Sequence, residues 1–117
     1  MDGNTKKYDL EERTLKFTKQ IIAFIHQLPT TLPNLEIGKQ LIRSAGSVVA
    51  NYIEANESLS KRDFLMRVKI CRKEAKESRY WLQLVECKEN PNGEQQKLIQ
   101  ESTELMKIFG AIIEKSN

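Results

Sequence analysis

The sequence predicts an all-α fold, an antiparallel up-down-up-down four-helix bundle. Apolar residues recur at steps of three and four along most of the chain, and nothing alternates as a strand would. The periodic segments are broken only by "LPTTLPN", "ESLS" and "NPNG", and helices joined by links this short pack as antiparallel neighbours. With 117 residues the chain can build one core and not two, so 1–117 reads as a single domain.

The first helix is expected at about 9–28, where Leu10, Phe17, Ile21, Phe24, Ile25 and Leu28 share a face; residues 1–8 are expected to be flexible. Two prolines in the following link deny backbone donors and disfavour helix just before them. The second helix, about 35–56, brings together Ile37, Leu41, Ala45, Val48, Val49, Tyr52 and Ile53. Gly38 and Gly46 weaken it by about 1 kcal/mol each relative to Ala, which suggests that another helix comes close there. Ser60 followed by Asp63 resembles a capping box and opens the third helix, about 61–88. The fourth, about 94–115, aligns Leu98, Leu105, Met106, Phe109, Ile112 and Ile113. The apolar arcs of the first helix and, with Ile108, of the fourth span about half the circumference, more than the ~100° a surface helix needs. That surplus predicts a second buried flank, against another copy of the chain.

Along one edge of the second helix runs a polar row: Gln40, Ser44, Ser47, Asn51 and Glu54. Serine and asparagine are poor choices for a free helix surface, because they compete for backbone hydrogen bonds. The row therefore reads as a seam onto which a helix or a neighbouring subunit docks. The third helix has three sectors. Phe64, Val68, Cys71, Ala75, Leu82 and Val85 form its core stripe. Arg62, Lys69, Arg72, Lys73, Lys76 and Arg79 gather on a basic sector. The third sector mixes Met66, Ile70 and Trp81 with Glu74 and Glu77, which suits a contact surface with charge pairing; Arg43 is the expected partner of Glu74 or Glu77.

The net charge of +3 understates the asymmetry. Residues 60–88 hold nine Lys or Arg against four acids, whereas 89–117 hold three against five. Such a concentrated basic stretch points to a polyanionic partner, RNA or DNA, bound through phosphates. Tyr80 borders it and could stack on an exposed base. Catalytic chemistry has no foothold: His26 stands alone, no glycine precedes Lys-Ser/Thr as in a phosphate loop, and no Glu has a His three residues on. Cys71 and Cys87, on one helix, are expected about 24 Å apart, beyond disulfide reach. No enzyme activity, cofactor or metal is expected. No apolar run would span a membrane, and the N-terminus lacks a secretory apolar stretch, so a cytoplasmic protein is expected.

Two ordered motifs carry a family resemblance. "QLIRSAGSVVANYIEAN" supplies Gln40, Arg43, Ser44, Ser47, Asn51 and Glu54, and "KEAKESRYWL" supplies Lys73, Glu74, Ala75, Glu77, Ser78, Tyr80, Trp81 and Leu82. The pattern resembles the bacterial four-helix-bundle proteins encoded in intervening sequences of 23S rRNA genes. Their superfamily includes the accessory protein of diversity-generating retroelements. The resemblance implies a bundle assembled as a homopentamer; within the superfamily it is the retroelement accessory protein that is basic, binds nucleic acid and works with a reverse transcriptase. The function expected is thus a non-enzymatic oligomeric nucleic-acid-binding bundle. The alternative is an oligomeric scaffold whose partner is a protein.

Overall fold

The computed structural model describes residues 5–116 as four long helices. They are α1 (Thr5–His26), α2 (Leu32–Asn56), α3 (Lys61–Leu84) and α4 (Glu94–Ser116), with a single 3₁₀ turn, Pro91–Gly93, ahead of the last. Each helix packs on its neighbours in chain order and α1 closes on α4, while α1 and α3 stand on a diagonal. The pairing is antiparallel: as α2 partners run from Asn34 to Asn51, those that follow in the third segment fall from Glu86 to Arg67. The four-helix bundle expected from the sequence is the fold observed, 44 × 27 × 20 Å overall.

The core takes one stripe from every helix. Phe17 and Ile21 meet Leu41 and Val48, Val68 and Leu82, and Leu98, Leu105 and Phe109, all fully or almost fully buried. Small hydroxyl residues in phase with these stripes are buried too. Thr14 and Ser102 return their hydroxyls to carbonyls of the preceding turn, at 2.9 Å for Thr14 and 2.6 Å for Ser102, so neither is left unpaired away from water.

Helix limits differ from the expectation at three places. α1 begins at Thr5, ahead of the expected residue 9, and residues 1–4 and 117 lie outside the described residues. α2 begins at Leu32, earlier than residue 35, because Thr31 caps it by accepting from the Asn34 N–H (3.2 Å) and Pro33 sits in the first turn. A proline there loses nothing, since first-turn N–H groups have no helical partner. α3 stops at Leu84 instead of residue 88. The cause is a contact distant in sequence: Asn34, 4% exposed, accepts from the Glu86 N–H (2.8 Å) and donates to the Glu86 carbonyl (2.9 Å). That two-way bond, with Val85 in extended conformation, draws the chain out of helix while Val85 still reaches the core. Cys87 consequently lies in the connection and not on the helix with Cys71.

Ser60 caps α3 by accepting from the Asp63 N–H (3.1 Å). The return to α4 needs left-handed backbone at Asn92 (φ 60°) and Gly93 (φ 64°), and the Asn90 carboxamide caps the Gln95 N–H (2.9 Å). Of the two glycines of α2, only Gly38 answers to close packing: a Cβ there would lie 3.5 Å from Ile25, whereas at Gly46 it would meet nothing.

Candidate nucleic-acid interface and the polar seam behind it

The seam of α2 is occupied by α3 of the same chain. At its centre Ser44 and Ser78, both fully buried, share a hydroxyl–hydroxyl bond of 2.8 Å. Each is also tied to its own helix, Ser44 to the Leu41 carbonyl (3.2 Å) and Ser78 to the Glu74 carbonyl (2.9 Å). Two turns on, Asn51 donates to Ser47 (2.9 Å) and accepts from Arg67 (2.9 Å). Beside the bond, the guanidinium of Arg43, the residue before Ser44, pairs with Glu77 and reaches Glu74 at 3.4 Å. Gln40 and Glu54 are exposed; Gln40 meets Arg43 at 3.4 Å, and Glu54 takes no part in the seam. The small residues let two helices touch, and the row therefore gives no reason of its own to expect a subunit contact at this edge.

The charges here perturb one another in a defined direction. Glu77 accepts from the Trp81 indole N–H (3.1 Å) and from Arg43, and both hold its carboxyl below the usual range, the indole bond contributing most. The Arg43 guanidinium is raised chiefly by its bond to Glu77. Glu74 is nearly buried, and Arg43 is the one cation within pairing distance of it among the described residues. On the other side of the bundle Arg13 makes a two-pronged contact with Glu101, at 2.6 and 2.9 Å, and bridges α1 to α4.

The basic sector of α3 is arranged differently. Arg62, Lys69, Arg72, Lys73 and Lys76 are exposed and, among the described residues, none has a carboxylate within 4 Å. Arg79 leaves the row: its guanidinium turns to α4 and donates to Thr103 (3.3 Å). Arg13, Arg43, Arg67 and Arg79 are engaged, whereas these five cations of α3 are presented to solvent, as are Lys16 and Lys19 on α1 and Lys97 and Lys115 on α4; what sets α3 apart is that its five lie close together along one helix. From Arg62 to Lys76 the row runs about 21 Å along the axis.

A second surface is apolar. On the outer side of α1 and α2, Leu15, Ile22, Leu35, Ile42 and Ile53 are 39–52% exposed. Ile25, Leu28, Leu35, Gly38 and Ile42 line a groove of about 240 Å³ between the two helices. The sequence reading assigned Ile53 to the core stripe and did not single out the other exposed members. Their signal was present, since Leu35, Ile42 and Ile53 fall on one line of α2 beside its core stripe.

The cleft at the α3–α4 connection, about 420 Å³, holds Cys87 with Glu89 and Glu94. Its thiol donates to the Glu89 carbonyl (2.8 Å), and burial, then the Glu89 charge, raise its pKa, the reverse of what activates a cysteine. Among the described residues, no group of His, Cys, Asp and Glu is placed to hold a metal, and no helix is long and apolar enough to cross a membrane.

A long-helix bundle with a hydroxyl-lined α2–α3 seam and an outward basic row defines a small all-α protein. The chain belongs to the 23S rRNA-intervening sequence protein family, whose pattern matches residues 6–111. It is similar to a crystal structure of a protein with unknown function from the S23 ribosomal protein family of Bacteroides thetaiotaomicron. The two share 28% identity over 93% of this chain and 98% of that one, with a TM-score of 0.79. Among curated proteins, none matches the chain.

Proposed function

We propose that this chain is a non-enzymatic, oligomeric, cytoplasmic bundle that binds nucleic acid through the outward face of α3. The observation that carries the reading is the concentration of Arg62, Lys69, Arg72, Lys73 and Lys76 along one outward helix face, none with a carboxylate within 4 Å among the described residues. Cations with no carboxylate within 4 Å need break no ion pair to reach phosphates, and each phosphate neutralised releases counterions.

Assembly is proposed through the α1–α2 apolar face. Since α1 and α3 are diagonal, a copy docked there leaves the α3 row open. Several copies in a ring would multiply a weak site into a strong one. The same apolar face also favours a second reading, a scaffold that receives a protein partner there.

The test is binding to structured RNA and duplex DNA at low and physiological salt, together with absolute mass by light scattering. Engaging four or five phosphates predicts a loss of affinity of roughly 100- to 500-fold between ~50 and ~200 mM salt. Lys73→Glu combined with Lys76→Glu weakens binding and flattens its salt dependence, and Ile22→Asp with Ile42→Asp dissociates the assembly without loss of helix. Binding indifferent to the lysine pair overturns the nucleic-acid role. A monomer at micromolar concentration overturns the assembly.

A further inference from the structure

The outward row of α3 does not end in a cation. One turn beyond Lys76, and therefore directly next to it on the helix surface, stands Tyr80 with 53% of its surface exposed. Its ring is no part of the core cluster. It contacts Trp81 in a T-shaped arrangement, centroids 4.8 Å apart and planes at 63°. Trp81 is itself fixed: it is half-buried against the core, and its indole N–H is bonded to Glu77, which Arg43 holds. Tyr80 is thus braced by an immobilised neighbour on one side and open to water on the other. Leu84, one turn further and 45% exposed, extends the apolar end of the row.

We infer that Tyr80 is a stacking platform for an unpaired base, and that the ligand of the α3 row is single-stranded nucleic acid. The inference rests on the nucleic-acid reading above and narrows its ligand. From Lys69 to Tyr80 is about 16 Å of helix, with Lys73 and Lys76 between them on nearly one line. A strand whose phosphates follow those lysines delivers a base to the ring. In a duplex the π-faces of bases are covered by their stacked neighbours, so only edges and phosphates are offered to a convex helix. A single strand offers both phosphates and faces, which is the combination this row matches.

The experiment measures fluorescence anisotropy with a single-stranded oligouridylate and an RNA duplex of the same length, for the full chain and three variants. Stacking on one aromatic is worth about 5- to 150-fold in affinity. Tyr80→Ala is expected to lose at least the lower figure on the single strand, to leave duplex affinity unchanged, and to keep the salt slope, since no charge is removed. Tyr80→Phe retains the ring and binds as the parent does. Lys73→Glu with Lys76→Glu weakens both ligands and flattens the slope. Trp81, the chain's one tryptophan, supplies a second readout: its emission changes with the single strand in the parent and in Tyr80→Phe, and not in Tyr80→Ala. Tyr80→Ala binding the single strand like the parent overturns the platform and leaves the basic row standing. An equal loss on strand and duplex also overturns it. Failure of the parent to bind either ligand overturns the platform and the nucleic-acid reading together.

Discussion

Arg43→Ala should destabilise the protein more than Glu77→Ala, although Arg43 and Glu77 form the closer pair. Arg43 serves two carboxylates of unequal burial. When Glu77 is removed, Arg43 is 48% exposed at its side chain and still has Glu74 at 3.4 Å. When Arg43 is removed, the Glu74 side chain, only 9% exposed, is stranded without a cation among the described residues. Stranding a fully buried charge costs about 3–5 kcal/mol, and exposed pairs contribute about 0–1 kcal/mol. With one partner half in solvent, roughly 1–2 kcal/mol is expected for Arg43→Ala and at most about 1 kcal/mol for Glu77→Ala. A chain of 117 residues has an unfolding entropy of about 0.25 kcal/mol per kelvin, so Arg43→Ala lowers Tm by about 4–8 °C. Far-UV circular dichroism melts of both single variants, the double variant and Arg43→Ala/Glu74→Gln read this directly. The Gln substitution removes the stranded charge and should recover part of the loss. Equal losses for the two single variants, full additivity in the double variant and no recovery by Glu74→Gln would refute the reasoning.

Three further outcomes are expected. Glu77 has a depressed pKa in the folded protein, so the unfolded chain binds protons first; the stabilisation is complete above about pH 5 and erodes as pH falls below the ordinary carboxylate value of about 4.3. Trp81→Phe should shrink that acid-side slope in urea titrations, because the indole bond is its largest cause. Burial pushes the Cys71 thiol up to about 12, while Cys87 is only half-buried, so a disulfide-exchange reagent at mild alkaline pH should titrate one thiol in the native protein and two in denaturant. Asn34→Ala leaves the Glu86 peptide without its partners and should cost about 1–3 kcal/mol, with hydrogen exchange accelerating most at the Glu86 amide.

The bundle was legible because its helices announce themselves by period; serine and asparagine in one row of α2 marked a docking edge, but left open whether a helix or a neighbouring subunit lies on it, and α3 of the same chain does. Arg43 was expected to meet Glu74 or Glu77, within the chain or across a subunit boundary, and it reaches both within the chain. What stayed hidden depended on contacts distant in sequence. Val85 continues the apolar phase of α3, and nothing local shows that Asn34 will end the helix there. Thr14, Ser78 and Ser102 are in phase with their core stripes, yet their polarity masked them; their short hydroxyls can satisfy themselves on the turn below. The basic sector was visible as composition, but only the geometry separates Arg79, spent on Thr103, from the five cations that face outward.

The Ser44–Ser78 bond has company on both sides: Arg43 with its carboxylates, Asn51 with Arg67, and Asn34 with Glu86. These rungs act together like the wards of a lock. Sliding α3 by a single turn would misplace every one of them at once, whereas a purely greasy interface would tolerate the slip. Alignment of the two helices is thereby set along their own length and not by the link between them, so extra residues inserted at Leu59, which is fully exposed, should leave the pairing where it is.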